Sequence, residues 1–479
     1  MNEASPIPTA EASPEGDGPA EGLPETPKLR GDLTQGPILR TLLLFSVPML
    51  LSNVLQTLNG SVNAIWVGRL LGESALAATA NANVIMFLLF AAVFGFGMAT
   101  TVRVGQYFGA RDLDAARRTF GSGLGFCVLL SVAVGLVGWF TTPWLLDTLG
   151  TPEQSKREAL AYLRVVFVTV PFGTASMMVS MGMRGAGDSK TPLYAMILTV
   201  ALDIVLNPLL IIGPGPLPTL GIAGSAIATA VANFTGFLYQ LWRIYREDLA
   251  LRLRGAEMGY LVPRAGDLAY VISKGLPMGA QMLLVSSAGL IMVGLVNREG
   301  LDAAAAYGAS LQVWNYLQMP AFAIGSAVSA MVAQSLGAGD HSRVGKVTSI
   351  GLGVNLLLSA LLAALIVGFD RPLLALFLGG DSPAMPVAEH IQLVCTSSFV
   401  IVSITMILTG TLRAYGAVVA PLVIMFLGLY PGRIGFYFLA YPHIGSEAVW
   451  WAYPVGSVLT VALTLAYYRF GPWRRAFSL

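Results

Sequence analysis

The chain has 479 residues, 55% of them hydrophobic and only 11% charged, and its mean hydropathy is +0.70. A soluble domain carries roughly 25% charged residues, so the composition excludes a water-soluble globular protein and defines an integral membrane protein. A net charge of +2 spread over many short loops excludes a nucleic-acid-binding patch.

Residues 1–33 are rich in Pro, Glu, Gly and Ala and lack aromatic residues and apolar runs, so they read as a disordered tail. They contain no apolar core of roughly 7 to 15 residues behind a basic start, so the first membrane helix is expected to direct insertion. Apolar stretches of about 20 residues, enough to cross a bilayer core of roughly 30 Å, then follow in two sets of six. The first set lies near residues 41–67, 75–102, 119–140, 160–183, 193–213 and 221–243. The second lies near 268–296, 303–334, 347–369, 389–411, 417–440 and 446–468. The expected fold is an all-α membrane protein of twelve helices in two pseudo-symmetric lobes. Residues 34–243 form the first lobe, 244–267 a cytoplasmic linker, 268–468 the second lobe and 469–479 a short tail.

The halves repeat one another. Val104-Gly-Gln-Tyr-Phe-Gly-Ala-Arg-Asp returns as Val332-Ala-Gln-Ser-Leu-Gly-Ala-Gly-Asp, and Arg184, Gly187 and Pro192 return as Arg413, Gly416 and Pro421. Six spans per half give both halves the same sense in the membrane, so their symmetry axis should follow the membrane normal, as in transporters whose lobes rock about a central site. Of the 28 Lys and Arg, 21 fall on the tails and even-numbered loops, whereas only Arg69, Lys156, Arg157, Arg298 and Arg371 lie opposite. Both termini are therefore expected in the cytoplasm.

One acid, Asp203, sits midway along an apolar span. Such a group costs at least ~2.5 to 3.5 kcal/mol on insertion scales and normally faces a partner or an aqueous path. Asn207 follows one turn later on the same face. In the first span Gln56, Asn59 and Asn63 form one polar stripe with Asn53 at its edge. A cavity opposite Asp203 would satisfy both helices, while packing between helices without solute is the alternative. Burial should raise the pKa of Asp203 enough for a proton to come and go, and Pro48 supplies a bend point in the first helix. Asp203, Asn207 and Asn63 are the expected coupling residues. Asn53, Gln56, Asn59, Asn81, Gln312 and Asn315 are expected in the substrate cavity, with Arg433 and Glu447 as secondary candidates that pair or hold an anion.

Other features carry less. Cys127 and Cys395 lie in apolar stretches and read as small buried hydrophobes. Gly121, Gly123 and Gly125 open a membrane helix with no preceding strand, so close packing explains them better than phosphate binding. His341, His390 and His443 are scattered, and neither a metal-ligand spacing nor a nucleophile-and-base pattern is present. An enzyme is disfavoured, and no cofactor is expected.

Taken together, Val62-Asn-Ala-Ile-Trp-Val-Gly68 with Ala75-Leu-Ala-Ala78, Gln106-Tyr-Phe-Gly-Ala110, Arg184-Gly-Ala-Gly-Asp-Ser-Lys-Thr-Pro192 and Gln334-Ser-Leu-Gly-Ala338 resemble the multidrug and toxic compound extrusion (MATE) transporters. The pattern is closest to the damage-inducible and archaeal-type branch. The resemblance implies a plasma-membrane antiporter, expected as a monomer, that exports cationic or amphipathic compounds in exchange for H⁺ or Na⁺ by alternating access. Relatives in that branch carry Asp where this chain has Asn63, and Asn-x-x-x-Asp where it has Asp203-Ile-Val-Leu-Asn207. The acid and amide are exchanged, and a single carboxylate favours a proton. A lipid-linked oligosaccharide flippase of the same superfamily is the alternative, but such proteins commonly line the cavity with several cations and only Arg433 qualifies here.

Overall fold

The structure, a computed structural model, describes residues 29–213, 215–216 and 220–479. Residues 1–28 of the expected tail lie outside the described residues. The first lobe holds α1 (Ile38–Leu71), α2 (Glu73–Gly109), α3 (Leu113–Thr148), α4 (Glu153–Gly185), α5 (Lys190–Ile212) and α6 (Ile222–Arg246). The second holds α7 (Ala265–Asn297), α8 (Leu301–Gly337), α9 (His341–Gly368), α10 (Asp370–Leu378), α11 (Met385–Ala414), α12 (Val419–Leu427), α13 (Phe436–Ile444) and α14 (Glu447–Phe470). Among the described residues twelve spans are long and apolar enough to cross a membrane, six per lobe, with α12 and α13 joined by a π-helical segment, Gly428–Gly435, into one of them. The spans run several residues beyond their apolar stretches because helical hydrogen bonding continues into the loops.

Two features differ from the sequence expectation. The short helix α10 follows α9 as a separate element, and Pro431 sits inside the π-helical segment. Proline lacks the N–H that would bond to the Leu427 carbonyl, and its ring crowds that oxygen, so widening the turn relieves the conflict. Of the three glycines of α3, Gly121 and Gly125 are packed against neighbouring backbone and Gly123 against the Thr100 side chain. A β-carbon at Gly121 would lie 2.7 Å from the Tyr260 carbonyl oxygen, and one at Gly125 would strike that of Leu261. The turn Gly255–Leu261 between the lobes is thereby held under α3, where Arg117 also pairs with Glu257 at 3.2 Å.

The repeated motifs lie at the loop ends of the helices. Gly187 and Gly416 both adopt left-handed φ, +80° and +86°, which an L side chain rarely adopts, so the repeat keeps glycine at both. Asp112 and Asp340 cap α3 and α9, accepting from the backbone N–H of Ala115 at 3.0 Å and of Arg343 at 3.1 Å. The Arg343 N–H, and then the Ser342 hydroxyl at 2.9 Å, hold the Asp340 carboxyl below its ordinary range. A folded-state pKa below the unfolded value stabilises the fold above the ordinary carboxylate pKa, and that contribution disappears as pH falls through the folded value. Asp340→Ala is therefore expected to cost about 1 kcal/mol near neutrality. Thermal unfolding in detergent should show that difference shrinking in acid; a pH-independent gap would refute the capping account.

The same motifs press the lobes together at one end. Gln106 Nε2 of α2 donates to the Ala414 carbonyl of the second lobe at 2.7 Å, and Gln334 Nε2 of α8 donates to the Gly185 carbonyl of the first at 3.2 Å. These positions correspond in the repeat, so one exchange occurs twice in opposite directions. A β-carbon at Gly109 would collide with the Gln334 carbonyl oxygen, and one at Gly337 with that of Gln106. Deeper in, Gly95 of α2 packs against Gly275 and Gly279 of α7. Leu42, Phe45 and Met49 of α1 join the second-lobe core around Ile324, Ala327 and Met331. Toward the other end, α2 exposes Val84 and Leu88, α7 exposes Leu290, and α8 exposes Gln312, Asn315 and Tyr316. These side chains are not covered by the opposite lobe.

Residues 29–33, assigned by composition to the tail, are part of this closed end. The Leu33 N–H donates to Gln334 Oε1 at 2.8 Å, while Gln334 Nε2 also donates to the Gly31 carbonyl at 3.2 Å. Asp32 pairs with Arg111 of the first lobe at 2.5 Å, and Arg343 of the second donates to the carbonyls of Leu33 and Gly36. Their order comes from contacts distant in sequence, which composition does not register. The C-terminal segment crosses as well. Trp473 is buried between Tyr415 and Tyr468, and Arg103 of α2 donates to the Ser478 carbonyl.

Candidate functional site

Asp203 and Asn207 stand one turn apart on α5, and both are 0% exposed. Charge in apolar surroundings demands hydrogen-bond partners, and two helices supply them. From α1, Asn59 Nδ2 and Asn63 Nδ2 donate to Asp203 Oδ2 at 2.8 and 2.7 Å. From α6, the Thr229 hydroxyl lies 3.1 Å from Oδ1 and 3.4 Å from Oδ2. Asn207 Nδ2 donates to Asp203 Oδ1 at 3.3 Å and to Asn63 Oδ1 at 3.1 Å. Tyr162 of α4 lies close enough to interact electrostatically with the carboxylate. Four side chains thus present hydrogens to one acid, an arrangement suited to an anion.

The amide stripe of α1 and the acid of α5 therefore meet directly, correcting the expectation of a cavity between them. Two acceptors in the cluster remain without hydrogens: Asn59 Oδ1 and Asn207 Oδ1 are buried and have no hydrogen-bond partner. Unpaired acceptors beside a carboxylate leave room for a hydrogen or a cation.

The remaining candidates divide. Asn53 is half-buried and Gln56 exposed, on the stretch of α1 that leaves the second lobe beyond Met49. Helices α1 and α8 run antiparallel, and Met49 and Ile324 belong to one core. At 1.5 Å rise per residue, Gln56 then lies at nearly the depth of Asn315 and Gln312. Those two are exposed, whereas Trp314 between them points into the lobe and donates to Gln392 and Thr396. Pro48 is buried inside α1, and the Ser52 hydroxyl bonds the Pro48 carbonyl at 2.9 Å. The Asn81 side chain lies outside the described residues. Arg433 and Glu447 do not pair: the guanidinium stacks over the Tyr453 ring at 4.2 Å, and Glu447 meets His390 at 2.9 Å. They lie on different elements, and sequence distance gave no register between them.

Thr229 and Tyr162 were missed by sequence reasoning. Thr229 stands in a run of Ala, Gly and Ser that reads as close helix packing, and only the fold brings it to Asp203. In the second lobe the repeat positions of Asn59 and Asn63 are Ala288 and Met292, both fully buried in an apolar core. The scaffold is duplicated; the polar cluster is not.

Two repeated six-span lobes joined by reciprocal glutamine contacts, with an acid buried in one of the spans, are the build of a membrane transporter. A model of the MatE family matches residues 48–209 and 277–439, and the chain belongs to that family, the multidrug and toxic compound extrusion transporters. It is 33% identical over 438 residues to "Probable multidrug resistance protein YoeA" of Bacillus subtilis, covering 91% of this chain and 94% of that protein. It is 25% identical over 464 residues to "Probable multidrug resistance protein NorM" of Thermotoga maritima, covering 94% of each. The fold matches a structure described as an outward-facing conformation of a multidrug resistance MATE family transporter, with TM-score 0.83, 19% identity and coverage of 91% and 96%.

Proposed function

We propose that this chain is a secondary antiporter of the plasma membrane that exports cationic or amphipathic small molecules in exchange for H⁺, with both termini in the cytoplasm and Asp203 as the coupling acid. The observation that carries the reading is the hydrogen-bonded shell that ties this acid to α1. Helix α1 packs on the second lobe below Met49 and on Asp203 above Asn59, so a change at the acid acts on a helix shared by both lobes. In this reading Gln56, Asn53, Gln312 and Asn315, exposed or half-buried at similar depth, face the substrate path between the lobes. Alternating access then requires the closed end around Gln106 and Gln334 to part as the open end shuts. Of the family's branches, the site pattern is nearest the damage-inducible and archaeal type.

Na⁺ is the second reading, favoured by the two unpaired amide oxygens next to the carboxylate. A hard cation takes oxygen ligands of this kind. Proteoliposomes separate the two: dye efflux driven by a pH gradient without Na⁺ supports the proton, and efflux that responds only to a Na⁺ gradient overturns it.

A further inference from the structure

Among the described residues, the second lobe holds a cation without a carboxylate partner. Arg433 lies in the middle of the span Val419–Ile444, within the π-helical segment. Among the described residues no carboxylate stands within ion-pair distance of it, and Glu447 is engaged by His390 at 2.9 and 3.0 Å. Its Nε is buried and has no hydrogen-bond partner. The guanidinium plane rests on Tyr453, whose hydroxyl is paired with that of Tyr307, and its Cβ abuts Gly456. A charge at such depth is expensive unless something pairs with it, and π-helical turns are enriched at functional sites.

The surroundings are also short of acceptors. Gln392 Nε2 and the hydroxyls of Ser310 and Ser457 are buried without partners. Ser310 shares a face of α8 with Tyr307, Ser457 follows Tyr453 by one turn of α14, and Gln392 holds Trp314, whose ring packs 5.6 Å from that of Tyr453. All three therefore border the aromatic cluster on which Arg433 rests. Arg433 as a whole residue is only half-buried, so the site is not sealed. Arg433 stands one residue beyond Gly432, the repeat equivalent of Asp203, so the two lobes carry opposite charges at matching depth.

We propose that Arg433 is the seat of an anion subsite in the second lobe, taking the carboxylate of a zwitterionic amphiphile. A single guanidinium matches one monoanionic carboxylate in bidentate fashion; a diphosphate would need more cations than this lobe supplies at that depth. The subsite rests on the efflux reading for its cargo and extends the cargo from cations to zwitterions.

A pair of dyes that differ in one group tests it: a rhodamine ethyl ester, a cation, and its free acid, a zwitterion. Equilibrium binding is read by fluorescence polarisation on the full chain in nanodiscs. Arg433→Gln is expected to weaken the free acid roughly tenfold, the loss of one charge-assisted contact, and to leave the ester within about twofold. Arg433→Lys should keep part of the preference for the acid. Equal weakening of both dyes, or none, overturns the subsite. Where Arg433→Gln fails to fold, the wild-type protein still decides: tighter binding of the free acid than of the ester supports the subsite. Equal affinity overturns it and leaves the efflux reading intact, and binding of neither dye overturns both.

Discussion

Asp203→Asn is expected to cut coupled transport sharply while leaving a folded protein. In reconstituted vesicles, substrate-dependent proton flux should drop roughly tenfold to a hundredfold, the span of an ordinary coupling free energy between two sites. The reason lies in the two unpaired oxygens. When a proton arrives, the carboxyl turns from pure acceptor to donor, and Asn59 Oδ1 and Asn207 Oδ1 are the nearby acceptors with no present partner. For Asn207 to present its oxygen, its amide must turn and release Asn63 Oδ1, now held at 3.1 Å. That bond is one of the ties between α1 and α5, so under the proposed coupling protonation would loosen the junction of the shared helix. An amide at position 203 keeps an oxygen for the Asn59, Asn63 and Thr229 donors but cannot take up and release a proton. Asp203→Leu separates fold from coupling: it strands those three donors, at about 1–3 kcal/mol each, and should lower the thermal midpoint far more than Asp203→Asn. Proton flux unchanged in the amide variant would sink the assignment.

Much of this is legible in the amino-acid sequence. The twelve spans follow from the length of apolar runs, because in lipid every backbone group must bond within its own helix and little else competes. Asp203 stood out for the same reason, as the acid with no business at that depth. Side-chain spacing placed Asn59 and Asn63 on one face of α1. It could not say whether that face met water or the acid, since both satisfy the amides equally. Contacts that join distant segments left no local trace. Residues 29–33 look like a solvated tail by composition, yet Leu33 is buried and bonded to Gln334 three hundred residues away. Arg433 was visible as an oddity, but the π-helical turn in which it sits is one that no apolar period reveals.

Removing both glutamines of the repeat, Gln106→Ala with Gln334→Ala, is expected to open the closed end. Each glutamine satisfies a carbonyl at a helix terminus of the opposite lobe, so the variant loses two interlobe bonds in a buried setting. At about 0.5–1.5 kcal/mol per bond, the loss sums to about 2 kcal/mol, which shifts a two-state equilibrium roughly thirtyfold. Spin labels at Ala110 and Lys346, exposed positions on opposite lobes, report the separation directly: the wild-type distance distribution should be dominated by a short component, and the double variant by a long one. The singles should be unequal. Gln334 also holds the Leu33 N–H and the Gly31 carbonyl, so Gln334→Ala releases the N-terminal crossing segment together with the lobe. Gln106→Ala leaves that segment in place and frees only the Ala414 carbonyl and the contact from Arg103. A larger displacement from Gln334→Ala than from Gln106→Ala therefore identifies residues 29–36 as part of the closure. Equal displacements would mean that the two motifs alone hold it, and unaltered distances in the double variant would place the closing force instead in the glycine contacts of α2, α7 and α8.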